Sequence, residues 1–366
     1  MKILFDHQIF SAQKYGGISR YFVNIANKMS DIGENVRICA PIHKNCFLKE
    51  SSRHLSSGFY FKFFPPKTIR IIKEINHHLS KRTVSIWNPD IVHETYYNSN
   101  FVAKKNVVLT VYDMIHEIYP ESFARYDNTS KLKKMAVSRA SHIICISEQT
   151  KRDLINLFNV KECKITVIHL GFNIPSVVQN DASSFVINKR PYLLYVGLRS
   201  GYKNFEKFIT GFASSAKLVS DYNIICFGGG PFNAHEKELI VKIGLSGHSV
   251  IQFSGNDQAL ANLYLNASAL VYPSLYEGFG LPPLEAMAYN CPVVCSNTSS
   301  IPEVVGDAAE MFDPHDEESI RASIESVVFN DSFRDYLIYR GKERLNVFSW
   351  NRCAQETLDV YRRVLS

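Results

Sequence analysis

Glu277 and Glu285 stand with seven residues between them, and the run Gly278-Phe279-Gly280-Leu281-Pro282-Pro283 fills most of that interval. The run follows the apolar stretch Ala269–Tyr272. It therefore reads as a strand, a glycine-bearing turn and a helix start, with the prolines at first-turn positions. Such a helix end presents backbone N–H groups to an anion, above all a phosphate. One carboxylate before the turn and one inside the helix can face a single ligand from different heights. As a bare pair they would be two surface glutamates; with this turn between them they read as ligand-binding.

A second cluster is Val196-Gly197-Leu198-Arg199-Ser200-Gly201-Tyr202-Lys203-Asn204. It reads as a strand end, a loop and a helix start, from which Arg199 and Lys203 can neutralise a diphosphate. Ordinary solvated loop charge is an equal reading. A third cluster, Tyr15-Gly16-Gly17-Ile18, follows the first strand and allows close backbone approach to a ligand, or is only a tight turn; its spacing is not a dinucleotide fingerprint. Asp113 and His116 close the strand Val107–Val111 and could hydrogen-bond a polar ligand, or cap a helix and face solvent. Tyr96, in His93-Glu94-Thr95-Tyr96-Tyr97-Asn98, offers an aromatic polar surface suited to a sugar. Gly228-Gly229-Gly230-Pro231 reads as a flexible strand-to-helix connection. The sequence carries no Walker A loop, HExxH, zinc-type cysteine spacing or Asp-x-Asp. A phosphate-handling enzyme of this kind would stabilise its leaving group with Arg, Lys and backbone dipoles, so no metal or other cofactor is expected.

These loops need strands to hold them. Short apolar runs alternate with helical patterns: Lys2–Phe5, Val36–Ala40, Ile91–Val92, Val107–Val111, His142–Ile146 and Lys164–His169, with helices such as Ile18–Ile32 and Lys131–Ser138 between. A polar stretch, Ile174 to Ser184, reads as a linker. A second series starts at Tyr192–Val196 and continues with Asn223–Phe227, Ser249–Phe253, Ala269–Tyr272 and Pro292–Cys295; helices follow near 316–330, 331–346 and 350–365. The fold class is α/β: two doubly wound domains, each with a parallel sheet, and a ligand beyond the carboxyl ends of the strands, most naturally in the cleft between the domains. The length of 366 residues fits two domains at about 150 residues each. With 46% hydrophobic and 21% charged residues, composition excludes a disordered or collagen-like chain. No apolar run approaches the roughly 18 residues of a membrane span. Lys2–Phe5, broken by Asp6, reads as a strand and not a secretory signal. Eight scattered cysteines without a CxxC pair read as reduced core residues of a cytoplasmic protein.

Taken together these motifs resemble the family 4 glycosyltransferases with the GT-B fold, over essentially the full length, and most of all those of bacterial O-antigen, capsule and exopolysaccharide synthesis. The E-x7-E element from Glu277 to Glu285 is the most specific match. Val196-Gly197 with Lys203-Asn204, the run Ile144 to Lys151, and Phe348-Ser349-Trp350 support it. The resemblance implies an acceptor-side domain over 1–182, a nucleotide-sugar-binding domain over 183–347, and a C-terminal helix, 348–366, that crosses back to the first. It implies retaining, metal-independent transfer of a hexose from a UDP- or GDP-linked donor to a glycan or a polyprenyl-diphosphate-linked acceptor. Glu277 would contact sugar hydroxyls and Glu285 the ribose. Arg199 and Lys203 would bind the diphosphate. Backbone N–H groups of Phe279, Gly280 and Leu281 would assist, and Gly16 and Gly17 would approach from the first domain. Asp113, His116 and Tyr96 would contact sugar or acceptor. Two positions depart from the family pattern: Leu198 separates Gly197 from Arg199, and Tyr112 replaces a histidine before Asp113. A nucleotide-sugar 2-epimerase of the same fold and a non-catalytic sugar-nucleotide-binding protein are the alternatives.

Charge is uneven. Residues 1–185 hold 25 Lys+Arg and 15 Asp+Glu, a net of +10, and the remainder 16 and 20, a net of −4. The basic half suggests an anionic partner. Lys62, Lys67, Arg70, Lys73, Lys81 and Arg82 lie near Phe59, Tyr60, Phe61, Phe63 and Phe64, which suits peripheral attachment to the inner membrane leaflet, or a solvated helix beside core aromatics. No recognisable nucleic-acid-binding module is present.

Overall fold

The computed structural model describes residues 1–50, 55–173 and 190–366. The expected linker from Ile174 to Ser184 and the 182/183 boundary lie outside the described residues. The described chain forms two compact units. The first comprises Met1–Ile118, Phe123–Gly171 and Phe348–Ser366; the second comprises Tyr119–Ser122 and Phe172–Val347.

The first unit is built on seven strands: β1 (Lys2–Phe5), β2 (Asn35–His43), β3 (Ser56–Tyr60), β4 (Ile91–Glu94), β5 (Val107–Val111), β6 (His142–Cys145) and β7 (Ile165–Val167). Their order is β3-β2-β1-β4-β5-β6-β7, and all neighbours are parallel. Every residue of β4 and β5 is buried, as a parallel sheet covered on both faces requires. β3 escapes sequence reading because Ser56-Ser57-Gly58 has no β-branched residue.

The C-terminal helix Trp350–Leu365 belongs to this first unit. It buries Trp350, Cys353, Ala354, Thr357, Leu358, Val360 and Tyr361. The Trp350 ring lies 6.2 Å from that of Tyr21, on helix Gly17–Asp31. Gly171 is required beneath it: a Cβ there would stand 2.4 Å from the Trp350 ring. Buried His93 on β4 holds the far end, 2.6 Å from Tyr361 Oη and 2.8 Å from Thr110 Oγ1. Burial lowers the His93 pKa to about 3, so the ring is neutral.

The second unit holds β8 (Tyr192–Val196), β9 (Asn223–Phe227), β10 (Val250–Phe253), β11 (Ala269–Tyr272), β12 (Val293–Ser296) and β13 (Glu310–Phe312). The order is β10-β9-β8-β11-β12-β13, again all parallel. Leu193, Phe205, Phe208, Ile224, Val271, Val294 and Ile324 form its core. In each sheet the chain winds one way from its first strand and then the other, so the order reverses between β1 and β4 and between β8 and β11. Loops leaving those neighbouring strands diverge, and the gap between them is where an open α/β sheet takes its ligand. Seven cysteines are buried and Cys163 is exposed, all of them free thiols. Among the described residues no helix is long and apolar enough to cross a membrane.

Candidate active site

The loops after β8 and β11 meet at the reversal point of the second sheet. Gly197 takes φ 129°, a left-handed conformation that suits glycine. Tyr195 Oη donates to the carbonyl of Leu198 and lies 3.3 Å from that of Lys203. Asn204, itself at φ 56°, anchors the loop end by donating to the Pro314 carbonyl over 2.8 Å. Leu275 N–H then donates to the Tyr202 carbonyl at 2.8 Å, which ties the two loops together. The outcome is an ion pair: Lys203 Nζ stands 2.6 Å from Glu277 Oε1. The ammonium lies 5.3 Å from the Tyr202 ring centre and 5.9 Å from that of Tyr272. Burial, and then the adjacent charge of Glu277, push the Tyr272 phenol well above its ordinary pKa.

The backbone under Glu277 is held from a place that sequence reading passed over. Glu277 N–H donates to Ser299 Oγ at 3.1 Å, and that hydroxyl donates back to the Glu277 carbonyl at 2.8 Å. Ser300 Oγ lies 2.9 Å from the Glu277 carbonyl and 3.0 Å from that of Phe279. Both serines follow β12. The available signal was the hydroxyl-rich run Ser296-Asn297-Thr298-Ser299-Ser300, too polar to be only a strand end.

Gly280 caps helix Leu281–Ala288 with φ 106° and ψ 68°. Pro282 and Pro283 carry no N–H, so of the first three helical residues only Leu281 offers a donor. The donor set ahead of the helix is therefore narrower than a generic helix start. Glu285, one turn further in, accepts from Tyr264 Oη at 3.1 Å. Glu277, Lys203 and Glu285 thus belong to one unit, the first two on loops that the sheet order brings together and Glu285 on the helix that follows.

Arg199 does not join them. Its side chain is almost fully buried. Nε donates to Glu236 Oε1 at 2.9 Å, Nη1 to the Gly228 carbonyl at 2.9 Å, and Nη2 to the Gly230 carbonyl at 2.8 Å. The guanidinium also covers the Phe232 ring at 4.7 Å. Gly228, Gly229 and Gly230 all have positive φ, which curls their carbonyls toward this cation. The triple-glycine turn expected to be a flexible connection is thus wrapped around a buried cation. Glu236 in turn accepts from Asn233 N–H at 2.7 Å, completing a capping box on helix Ala234–Lys242.

In the first unit, Gly16 caps helix Gly17–Asp31 in extended conformation, and its carbonyl accepts from Arg20 N–H at 3.1 Å. A Cβ on Gly16 would lie 2.2 Å from Gln13 Oε1. Across that sheet's reversal point, buried Asp6 accepts from Thr95 N–H at 2.9 Å and from Thr95 Oγ1 at 2.6 Å. Asp113 caps the short helix Ile115–Ile118 by accepting from Ile115 N–H at 3.1 Å, the capping alternative of the sequence reading. His116 stacks on Phe123 with ring centres 3.8 Å apart, and burial lowers its pKa. Sequence reading missed Lys133, fully buried, whose Nζ donates to Glu117 at 2.6 Å and to the Asp113 carbonyl at 2.9 Å. Half-buried Tyr96 has its phenol pushed up to about 12, chiefly by burial.

Comparison with known proteins shows the family. Residues 15–174 match the model described as "Glycosyltransferase Family 4", and residues 178–344 the one described as "Glycosyl transferases group 1". The O-antigen chain mannosyltransferase B of Escherichia coli is 30% identical over 289 residues, 73% of this chain and 74% of that one. The O-antigen chain mannosyltransferase RfbU of Salmonella typhimurium is 33% identical over 225 residues, 61% of each chain. Among solved structures, Anabaena HepE in complex with UDP superposes with a TM-score of 0.73 at 17% identity, covering 99% of this chain and all of that one. The chain belongs to the family 4 glycosyltransferases with the GT-B fold, of the bacterial O-antigen type.

Proposed function

We propose that the protein transfers a mannosyl-type hexose, with retention and without a metal, from a nucleotide-diphosphate sugar to a glycan or lipid-linked acceptor in surface-polysaccharide synthesis. The observation that carries this reading is the Lys203–Glu277 pair at the β8/β11 reversal point, with Glu285 on the helix that follows. The two relatives named as O-antigen mannosyltransferases favour the mannosyl choice, and the HepE complex with UDP favours a nucleotide donor.

In this reading Lys203 faces the departing diphosphate, and its charge compensates the negative charge that grows as the glycosidic bond breaks. Glu277 orients Lys203 and accepts hydrogen bonds from sugar hydroxyls. Glu285 takes the ribose hydroxyls, and the N–H groups of Phe279, Gly280 and Leu281 assist at the phosphates. Gly16 and Gly17 offer their backbone to the diphosphate. Asp113, His116 and Tyr96 remain sugar or acceptor contacts. Arg199 acts through the loop it holds and not on the phosphate. The acceptor hydroxyl attacks the face the nucleotide leaves, and the leaving phosphate takes its proton.

The test is thermal stabilisation by UDP, GDP and their sugars, with and without EDTA, followed by product analysis. One nucleotide should raise the melting temperature unchanged by EDTA, and its sugar should be transferred with retained configuration. Lys203→Ala and Glu277→Ala should each lower turnover by about 10²–10³-fold in a folded protein. Near-normal turnover in either variant refutes its role. Interconversion of the sugar nucleotide without acceptor would mark an epimerase, and binding without any turnover a non-catalytic protein.

A further inference from the structure

Helices Thr129–Arg139 and Glu148–Phe158 of the first unit end beside the amino ends of β6 and β7. A cavity of about 540 Å³ opens among these ends. Lys134, Lys161 and Lys164 line it together with His142, and no carboxylate does. Elsewhere this unit pairs its ammoniums: buried Lys133 stands 2.6 Å from Glu117, and Lys151 2.7 Å from Glu162. Glu162, next to Lys161 in the chain, is thereby engaged outside the cavity. Among the described residues none of the three cavity lysines is ion-paired.

Helix-end carbonyls explain only one of these charges. Lys164 Nζ donates to the Val137 carbonyl, near the end of the first helix, over a long 3.4 Å. Lys134 holds its ammonium 5.7 Å from the centre of the Phe158 ring, and Lys161 is exposed. The unbalanced field reaches His142, whose pKa is lowered by burial and then by the charges of Arg363 and Lys164. Ammoniums gathered on one concavity without a counter-charge repel one another, and a bound anion relieves that repulsion. The wall supplies a neutral donor as well. Ser141 Oγ accepts from Val107 N–H at 3.2 Å, which leaves its own proton for another acceptor. The volume falls in the range of small-molecule sites, about 300–1,000 Å³.

We infer that this cavity binds the phosphate group of a small soluble molecule, held by Lys134, Lys161 and Lys164 with the Ser141 hydroxyl. Phosphate suits three ammoniums better than a carboxylate does, because it carries close to two charges and three free acceptor oxygens. The site lies apart from glycosyl transfer. Gly16, Tyr96 and Asp113 follow β1, β4 and β5 at the carboxyl edge of the sheet, whereas Ser141 and Lys164 precede β6 and β7 at its amino edge. The group comes from free phosphate or from a phosphate ester, and the two are tested side by side.

Cys163 also lines the cavity and is exposed, while the other seven cysteines are buried. Its alkylation by neutral iodoacetamide therefore reports on this place. An anion held by the lysines covers the thiol and disfavours its thiolate. Inorganic phosphate and glucose 6-phosphate, each titrated into the full chain, should slow the alkylation saturably by about fivefold or more. Potassium chloride at the same ionic strength should slow it by less than about twofold. Whichever of the two phosphates saturates at the lower concentration identifies the source. Lys134→Gln with Lys161→Gln replaces two exposed side chains, so it should melt as the wild type does. It should raise the half-saturating concentration by about tenfold. Lys203→Ala should leave the protection intact, which separates this site from the β8 loop whether or not the glycosyl-transfer reading holds. Slowing that only matches chloride, or never saturates, is ionic screening and overturns the inference. Equal protection in the lysine double variant, or its loss in Lys203→Ala, does the same.

Discussion

Replacing Arg199 by alanine separates a structural cation from a substrate-binding one. In the wild type its guanidinium is paired with Glu236 at 2.9 Å and donates to the Gly228 and Gly230 carbonyls at 2.9 and 2.8 Å. Removing one partner of a buried pair leaves a buried charge, which costs about 3–5 kcal/mol. The orphaned carbonyls add to this, and water entering the vacated space offsets part, so about 4 kcal/mol is expected. For a unit of this size that lowers the melting temperature by roughly 10 °C. The double variant Arg199→Met with Glu236→Leu should recover much of the loss, because no buried charge then remains. Turnover per folded molecule should fall only severalfold, against the hundredfold or greater loss on losing Lys203. The assay pairs calorimetric unfolding with nucleotide release at a temperature where the variant is folded. If Arg199→Ala melts within about 2 °C of wild type yet loses activity a hundredfold, the cation acts on the substrate and the argument from its burial is wrong.

Glu285→Ala should weaken nucleotide binding and, by taking the acceptor from the buried Tyr264 hydroxyl, cost about 1–3 kcal/mol of stability; titration calorimetry on the folded variant decides the role, and unaltered affinity removes Glu285 from the ribose. Gly280→Ala forces a side chain onto φ 106°, so about 1–3 kcal/mol of stability should be lost, read from denaturant unfolding. His93 supplies a pH dependence. Its folded pKa of about 3 lies below the ordinary 6.5, so below 6.5 the unfolded chain binds more protons than the folded one. Its contribution is complete above 6.5 and falls as pH drops toward 3, by about 2 kcal/mol at about pH 5. His93→Gln should flatten the slope of stability against pH between these limits; an unchanged slope would mean that the ring titrates alike in the folded and unfolded states.

The alternating pattern of apolar runs was enough to read two α/β domains, because strands buried on both faces must be almost wholly apolar, as in Val107–Val111 and Ala269–Tyr272. The Glu277–Glu285 interval was legible for a similar reason: a glycine turn with prolines after it specifies its own local geometry. Local patterns do not report partners distant in sequence. Lys203 and Glu277 are 74 residues apart and meet only because the strand order places β11 beside β8. Ser299 and Ser300 support Glu277 from a third loop, which no spacing rule links to it. Arg199 and Lys203 look equivalent in sequence, four residues apart on one loop. The fold turns the first inward to Glu236 and a ring of glycine carbonyls and gives the second to Glu277. Residue type and local turn chemistry are written along the chain, but the direction a side chain faces depends on the neighbours that the sheet supplies. Helix Ile69–Trp87 makes the same point in reverse, for its isoleucines are left outside while Asn76 and Ser80 hold the bonds to the sheet.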